Sequence, residues 1–152
     1  VHALLIGIDT YRTANFRPLS GAVSDTKKIE SFLKKNIAGP SIRMLLNEQA
    51  TQRGILRAVE GLASDSNINK GDPILIYYAG HGSTVDAPRG KSHTSQKIQV
   101  LVPYDGRVDG STAQNFLADF KLGRLVAAIA DAKGDNITVI LDCCYAASGT
   151  RG

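Results

Sequence analysis

Two residue types that can do acyl-transfer chemistry follow apolar segments of this sequence. Ile74–Tyr78 leads into Ala-Gly-His-Gly, which presents His81 between two glycines, and Ile137–Leu141 leads through an aspartate into the adjacent Cys143 and Cys144. A cysteine attacks a carbonyl as its thiolate, and a nearby imidazole both favours that form and can protonate the leaving amine. The combination predicts a thiol hydrolase, with a cysteine protease as the first hypothesis.

The glycines beside the histidine add a second feature of such chemistry. Glycine allows a sharp turn and a close approach of backbone N–H groups to a substrate carbonyl, as an oxyanion hole requires. The N–H groups of Gly82 and Cys144 are the candidates for that role. A structural interpretation remains open, because a cysteine at a strand end is often a small buried hydrophobe and a single histidine often serves only as a hydrogen-bonding residue.

The segments around these residues alternate between strand and helix patterns. Short, nearly continuous apolar runs predict strands at 2–8, 41–46, 74–78, 97–102 and 137–141. Apolar residues at helical spacing predict three helices, the first capped by Ser20, the second by Thr51, and the third spanning Phe120 to Ala130. Segments 83–97 and 106–115 lack a periodic pattern and are predicted to be loops.

Strands that alternate with helices predict an α/β fold, with a mostly parallel sheet and helices on both faces. In such sheets, functional sites form beyond the carboxyl ends of the strands. His81 and Cys144 both lie beyond such ends, so we expect them on the same rim of the sheet.

Length and composition limit the function classes. The 152 residues fit one domain of ordinary globular composition, and no apolar run approaches the roughly 18 residues of a membrane span. The positive charges are scattered without an aromatic stacking platform, which argues against nucleic-acid binding, and no Gly-rich phosphate loop is present. Adjacent cysteines do not match zinc-ligand spacing, and free thiols favour a reducing compartment, for which we predict the cytoplasm.

Several segments together resemble the caspase-like cysteine peptidases, and within them the metacaspases. They are, in chain order, HALLIGID, LSGAVSD, YYAGHGS, LVPYDG and DCCYAASG. The histidine segment is similar to the family's motif without substitution, whereas the usual Asp-Ser-Cys-His-Ser-Gly is here Asp-Cys-Cys-Tyr-Ala-Ala. The resemblance aligns Cys144 with the nucleophile and Cys143 with the serine, so Cys143 is expected to be structural. It implies the large-subunit region of a caspase-like catalytic domain over residues 1–152.

The same resemblance implies an endopeptidase that cleaves after Arg or Lys and acts in proteolysis of the kind linked to programmed cell death. Asp25 and Asp142 match positions that line the family's acidic specificity pocket, where a carboxylate would pair with a cationic side chain. Each also has a structural interpretation, Asp25 as a negative charge near a helix N-terminus and Asp142 as part of a strand-end turn. Ala22 stands where the family has a cysteine, which is a departure within the pocket.

Calcium activation is a further implication of the resemblance, although the chemistry itself requires no cofactor. The candidate ligands are Asp105, Asp109 and Asp119, since oxygen-rich loops suit a hard cation. Their spacing is unlike that of an EF-hand, so solvated loop aspartates are the alternative.

Caspase-like folds complete the sheet with a second segment after the nucleophile. This sequence stops eight residues past Cys144, so a small-subunit segment or partner chain is expected to complete the sheet. A peptide or protein is the expected substrate. The competing function is a non-catalytic caspase-like regulatory or interaction module, because Tyr145, Ala146 and Ala147 replace the usual His-Ser-Gly.

Overall fold

A computed structural model describes residues 1–87 and 96–143. The elements, in chain order, are β1 (His2–Gly7), α1 (Ala22–Asn36), β2 (Ser41–Leu46), a 3₁₀ turn (Asn47–Gln49), α2 (Gln52–Ser64), β3 (Ile74–Ala79), β4 (Gly82–Asp86), β5 (Lys97–Leu101), β6 (Arg107–Asp109), β7 (Thr112–Gln114), β8 (Leu117–Ala118), α3 (Asp119–Lys133) and β9 (Ile137–Asp142). None of the helices in these ranges is long and apolar enough to cross a membrane.

The central sheet has the strand order β2-β1-β3-β9, and every neighbouring pair is parallel. Gly7 lies opposite both Leu46 and Ala79, and Ala79 lies opposite Asp142. All four strands therefore end at the same level, which creates one rim. The predicted α/β fold with a mostly parallel sheet is confirmed.

Helices cover both faces of this sheet. Alternate residues of β1 and β3 point to opposite faces, so Leu5 and Tyr77 pack with α1, whereas Ile6 and Tyr78 pack with α2 and α3. The strands β1 and β3 are buried on both sides, which explains their continuous apolar sequences. The edge strand β9 is more exposed, and in the described ranges it pairs only with β3.

The prediction of loops at 83–97 and 106–115 is wrong in part. Residues 82–86 form β4, which pairs antiparallel with β5 and leads to a small sheet of order β4-β5-β8. The strand predicted at 97–102 therefore exists but lies outside the parallel sheet. Within 106–115, β6 and β7 form a hairpin whose residues are mostly exposed, and exposed strands carry no apolar signal. Residues 88–95 lie outside the described ranges.

The predicted helix caps have different outcomes. Thr51 does cap α2, because its hydroxyl accepts the N–H of Gly54 at 3.0 Å. Ser20 does not cap α1. The carboxylate of Asp9, from the loop after β1, instead accepts the N–H groups of Ala22 at 2.8 Å and Val23 at 3.2 Å. A carboxylate at this end also interacts favourably with the positive end of the helix dipole. A side chain distant in sequence therefore takes the role that a local cap would have.

Candidate active site

His81 lies two residues beyond β3 and is held through both its backbone and its ring. Its backbone N–H donates to the hydroxyl of Tyr11 at 2.7 Å, and its carbonyl accepts from the hydroxyl of Tyr78 at 2.8 Å. The ring Nε2 lies 2.8 Å from the carbonyl oxygen of Arg17. Because a carbonyl can only accept, Nε2 carries the proton, and Nδ1 is the acceptor nitrogen of the neutral imidazole.

Aromatic rings flank the same imidazole. The ring centroids of Tyr11 and Phe16 lie 4.9 and 5.8 Å from that of His81, and Phe116 packs edge-on against Phe16 at 5.8 Å. These contacts limit rotation of the histidine about its side-chain bonds. The ring therefore has a defined direction before any substrate binds.

Two tyrosine hydroxyls meet beneath the histidine turn. Burial raises the pKa of Tyr11 to about 12, and burial raises the pKa of Tyr78 well above its ordinary value, so both are neutral hydrogen-bonding groups. A Cβ on Gly80 would lie 2.8 Å from the Tyr78 hydroxyl oxygen and 3.1 Å from that of Tyr11. Gly80 is therefore needed for this close approach. Neither Gly80 nor Gly82 has a positive φ, so a specially sharp turn is not the reason for glycine here.

The N–H of Gly82 points away from β5. In an antiparallel pair, hydrogen-bonded residue pairs alternate with pairs that are not hydrogen-bonded. Val102 donates to the His81 carbonyl at 3.0 Å, and Ala87 donates to Gln96 at 2.8 Å. Gly82 lies between these two positions and opposite Leu101, so it is a non-hydrogen-bonded position whose N–H the ladder does not use.

The cysteine strand runs beside the histidine strand. Gly80 donates its N–H to the carbonyl of Asp142 at 3.5 Å, which joins the two strand ends. Cys143 is half-buried and packs against the apolar cluster shared with α2 and α3. Cys144, with its N–H, lies outside the described residues, as do Tyr145, Ala146 and Ala147.

Asp25 and Asp142 line one open cleft of about 440 Å³ between α1 and the end of β9. Its other lining residues are Lys28, Ile29, Tyr77, Ile140 and Leu141. The structure thus brings together the two carboxylates that lie far apart in the sequence. Ala22 is buried where α1 packs on the sheet.

Each acidic side chain of the cleft already has a polar neighbour. The hydroxyl of Tyr77 donates to Oδ2 of Asp142 at 3.2 Å, and Lys28 lies 3.7 Å from Asp25. Burial, followed by the charge of Asp142, raises the pKa of Tyr77 to about 12. A larger depression of about 590 Å³ runs along α1 past Asp9, but it includes neither strand-end motif, so the acidic cleft is the better candidate for substrate binding.

The three aspartates considered for calcium are engaged separately. Asp105 accepts the N–H of Gln52 at 2.8 Å at the start of α2, Asp109 pairs with Arg107 at 3.2 Å, and Asp119 lies at the start of α3. Across residues 1–87 and 96–143, no three His, Cys, Asp or Glu side chains form a group that could hold a metal ion. These aspartates are not brought together there, and calcium activation stays a prediction.

The sequence patterns predict the histidine motif and the acidic pair but not the groups that contact them. The carbonyl of Arg17 and the hydroxyls of Tyr11 and Tyr77 were not identified. A backbone carbonyl carries no residue signature, and each tyrosine looked like an ordinary loop or core residue. The YY pair before Ala79-Gly80 was the one available signal, because two adjacent tyrosines on a buried strand must satisfy two hydroxyls.

Comparisons with known proteins show relatives in sequence and in fold. The chain is 30% identical to Metacaspase-3 of Trypanosoma cruzi and 28% identical to Metacaspase-1A of Aspergillus oryzae, with 96% of the chain covered in both cases. It spans only 40% and 34% of the lengths of these two relatives. A crystal structure of a Geobacter sulfurreducens protein shares the fold at a TM-score of 0.73 and 18% identity, with 96% of this chain and 51% of that chain covered.

The family assignment covers the whole chain. A family model described as the caspase domain matches residues 1–152, which include the histidine strand, the acidic cleft and the cysteine motif. This chain therefore belongs to the caspase-domain family.

Proposed function

We propose that this chain carries the catalytic residues of a cysteine endopeptidase that cleaves after Arg or Lys, with Cys144 as nucleophile and His81 as acid and base. One observation carries the proposal. Ala79 and Asp142 are register partners at the ends of adjacent parallel strands, and His81 and Cys144 each follow by two residues. Adjacent strands lie about 4.8 Å apart, so the two strands that precede these residues end side by side.

The hydrogen bond to Arg17 supports the proposed role of the histidine. With Nε2–H directed at that carbonyl, Nδ1 is the nitrogen that takes the thiol proton of Cys144 as sulfur attacks the scissile carbonyl. The imidazolium then returns this proton to the leaving amine, and the C–N bond breaks to leave a thioester. Water, deprotonated by the same nitrogen, hydrolyses the thioester and restores the thiol.

The N–H of Gly82 supports an oxyanion hole. An oxyanion needs donors that are not already used, and the position of Gly82 in the β4–β5 ladder leaves its N–H out of the strand pairing. The N–H of Cys144 is the proposed second donor.

The acidic cleft is the proposed site for the basic side chain before the cut. Asp25 and Asp142 line the same cavity, which opens beside the end of the cysteine strand. A guanidinium or ammonium group between two carboxylates makes charge-assisted hydrogen bonds that an uncharged side chain cannot make.

A companion segment is proposed to pair with β9. Val139 and Ile140 are 37% and 42% exposed, and the outer edge of β9 has no partner strand in the described part of the chain. An added strand would cover these side chains and satisfy the edge N–H and C=O groups. The longer relatives are consistent with such a segment.

The proposal is tested with the natural full-length protein and peptides that carry Arg, Lys, citrulline or Asp at the scissile position, with and without calcium. Arg and Lys peptides should be cleaved, Cys144→Ala should abolish turnover, and the matched variant Cys143→Ser should retain it. Turnover that survives in Cys144→Ala would refute the nucleophile, and a preference for Asp would refute the acidic pocket. Complete inactivity of the wild type would favour the non-catalytic module, for which the substituted residues after Cys144 are the evidence.

A further inference from the structure

We propose that Tyr77 determines specificity in the acidic cleft by holding the carboxylate of Asp142 in the orientation that receives a cationic side chain. This inference rests on the proposed peptidase function and extends it to Tyr77, which has no part in the proposed acyl-transfer steps. Tyr77 is a positioning residue in this role, because it acts through the carboxylate of Asp142.

The register of the sheet explains how this tyrosine reaches the aspartate. Tyr77 lies directly opposite Ile140, and Asp142 lies two residues further along β9 on the same face. Such diagonal neighbours on adjacent strands are within reach of an aromatic side chain. Ala79, directly opposite Asp142, is small and leaves space for the tyrosine hydroxyl.

The contact joins an exposed carboxylate to a buried side chain. Asp142 ends an exposed edge strand, whereas Tyr77 is only 4% exposed and is packed between the sheet and α1. The hydrogen bond of 3.2 Å involves Oδ2, so Oδ1 and the second lone pair of Oδ2 remain to bind a cation. A rigid residue thus orients the carboxylate without using its full acceptor capacity.

Burial and nearby charge keep the tyrosine in the donor form. Burial acts most strongly against ionisation of the Tyr77 hydroxyl, the negative charges of Asp142 and Asp25 add to it, and together they raise its pKa to about 12. The hydroxyl is therefore protonated at neutral pH and lies in the field of both cleft carboxylates. A donor in this position is available to hold a carboxylate and does not compete for the cation.

The main test compares Tyr77→Phe with the matched variant Tyr104→Phe, which removes a hydroxyl away from the cleft. Loss of one orienting hydrogen bond should raise KM for an Arg peptide roughly 3- to 10-fold, with kcat nearly unchanged. Turnover of the uncharged citrulline peptide should not change, so the Arg-to-citrulline ratio of kcat/KM falls by the same factor. An unchanged ratio, or an equal loss for both peptides, would overturn the proposal.

A binding measurement separates this inference from the peptidase function. In a Cys144→Ala background, N-acetyl-arginine-N-methylamide is titrated by calorimetry into protein with the native Tyr77, with Tyr77→Phe, or with Asp142→Asn. Affinity should fall roughly 3- to 10-fold in Tyr77→Phe and further in Asp142→Asn. Binding with this pattern but no wild-type turnover would refute the peptidase and retain the role of Tyr77. Equal affinities, or no binding to the native cleft, would refute that role.

Discussion

Replacing Tyr11 with phenylalanine tests how the histidine turn is held. The substitution keeps the ring that packs on His81 and Phe16 but removes the hydroxyl that accepts the His81 N–H at 2.7 Å. An unsatisfied buried N–H costs about 1–3 kcal/mol. Because His81 is only half-buried and Tyr11 no longer buries a hydroxyl, we expect the lower part of that range, about 1–2 kcal/mol of unfolding free energy. For a domain of this size that corresponds to a fall in Tm of roughly 2–8 °C.

Urea unfolding and amide hydrogen exchange measure this effect at neutral pH. Exchange at the His81 amide should be faster by about tenfold for each 1.4 kcal/mol lost locally, since the N–H no longer has its acceptor. The matched variant Tyr104→Phe should change stability by no more than about 0.5 kcal/mol and leave that amide unchanged. If Tyr11→Phe altered neither stability nor His81 exchange, the hydroxyl would not be holding the turn and the reasoning would fail.

Three further predictions follow from named contacts. Stability should fall as pH rises from 10 towards 12, because folded Tyr11, with a pKa of about 12, keeps its proton while the unfolded residue loses it near pH 10. The contribution of Tyr11 to this loss of unfolding free energy approaches roughly 2.7 kcal/mol, and Tyr11→Phe should lack it in urea titrations. Lys28 competes with a substrate cation for the carboxylate of Asp25, and this exposed ion pair is worth about 0.2–1 kcal/mol. Lys28→Gln should therefore lower KM for an Arg peptide up to about fivefold at low salt and less at high salt, whereas a higher KM would contradict this competition. Asp9→Ala should cost about 1–2 kcal/mol of unfolding free energy by removing two acceptors from the start of α1, whereas Asp9→Asn should cost less because it can retain one.

The parallel sheet could be predicted because strands that are buried on both faces have continuous apolar sequences. This holds for β1 and β3, whose side chains are almost all buried. The same logic fails for the hairpin of β6 and β7, whose strands of three residues lie at the surface and depend on backbone pairing alone. The apolar pattern also does not assign β5 to a separate sheet, because an apolar run does not show which strand it pairs with.

The candidate site was predictable only where a side chain carries the chemistry. His81 stands out between glycines after an apolar strand, whereas its partner at Arg17 is a main-chain oxygen 64 residues away, and any residue type could supply it. The same applies to the start of α1. Ser20 had the local pattern of a cap, but the carboxylate of Asp9 reaches the helix end through the tertiary fold. Local patterns predict elements, and long-range packing decides which polar groups meet.

The adjacent tyrosines of β3 show how one strand serves two parts of the candidate site. Because side chains alternate between the faces of a sheet, Tyr77 and Tyr78 must point in opposite directions. The hydroxyl of Tyr77 lies on the α1 face and reaches Asp142, whereas that of Tyr78 lies on the other face and binds the carbonyl of His81. A one-residue slip of this strand would exchange the two faces and break both contacts at once. The register of β3 therefore couples the acidic cleft to the histidine turn, because a change in the pairing of this strand would move a contact in both.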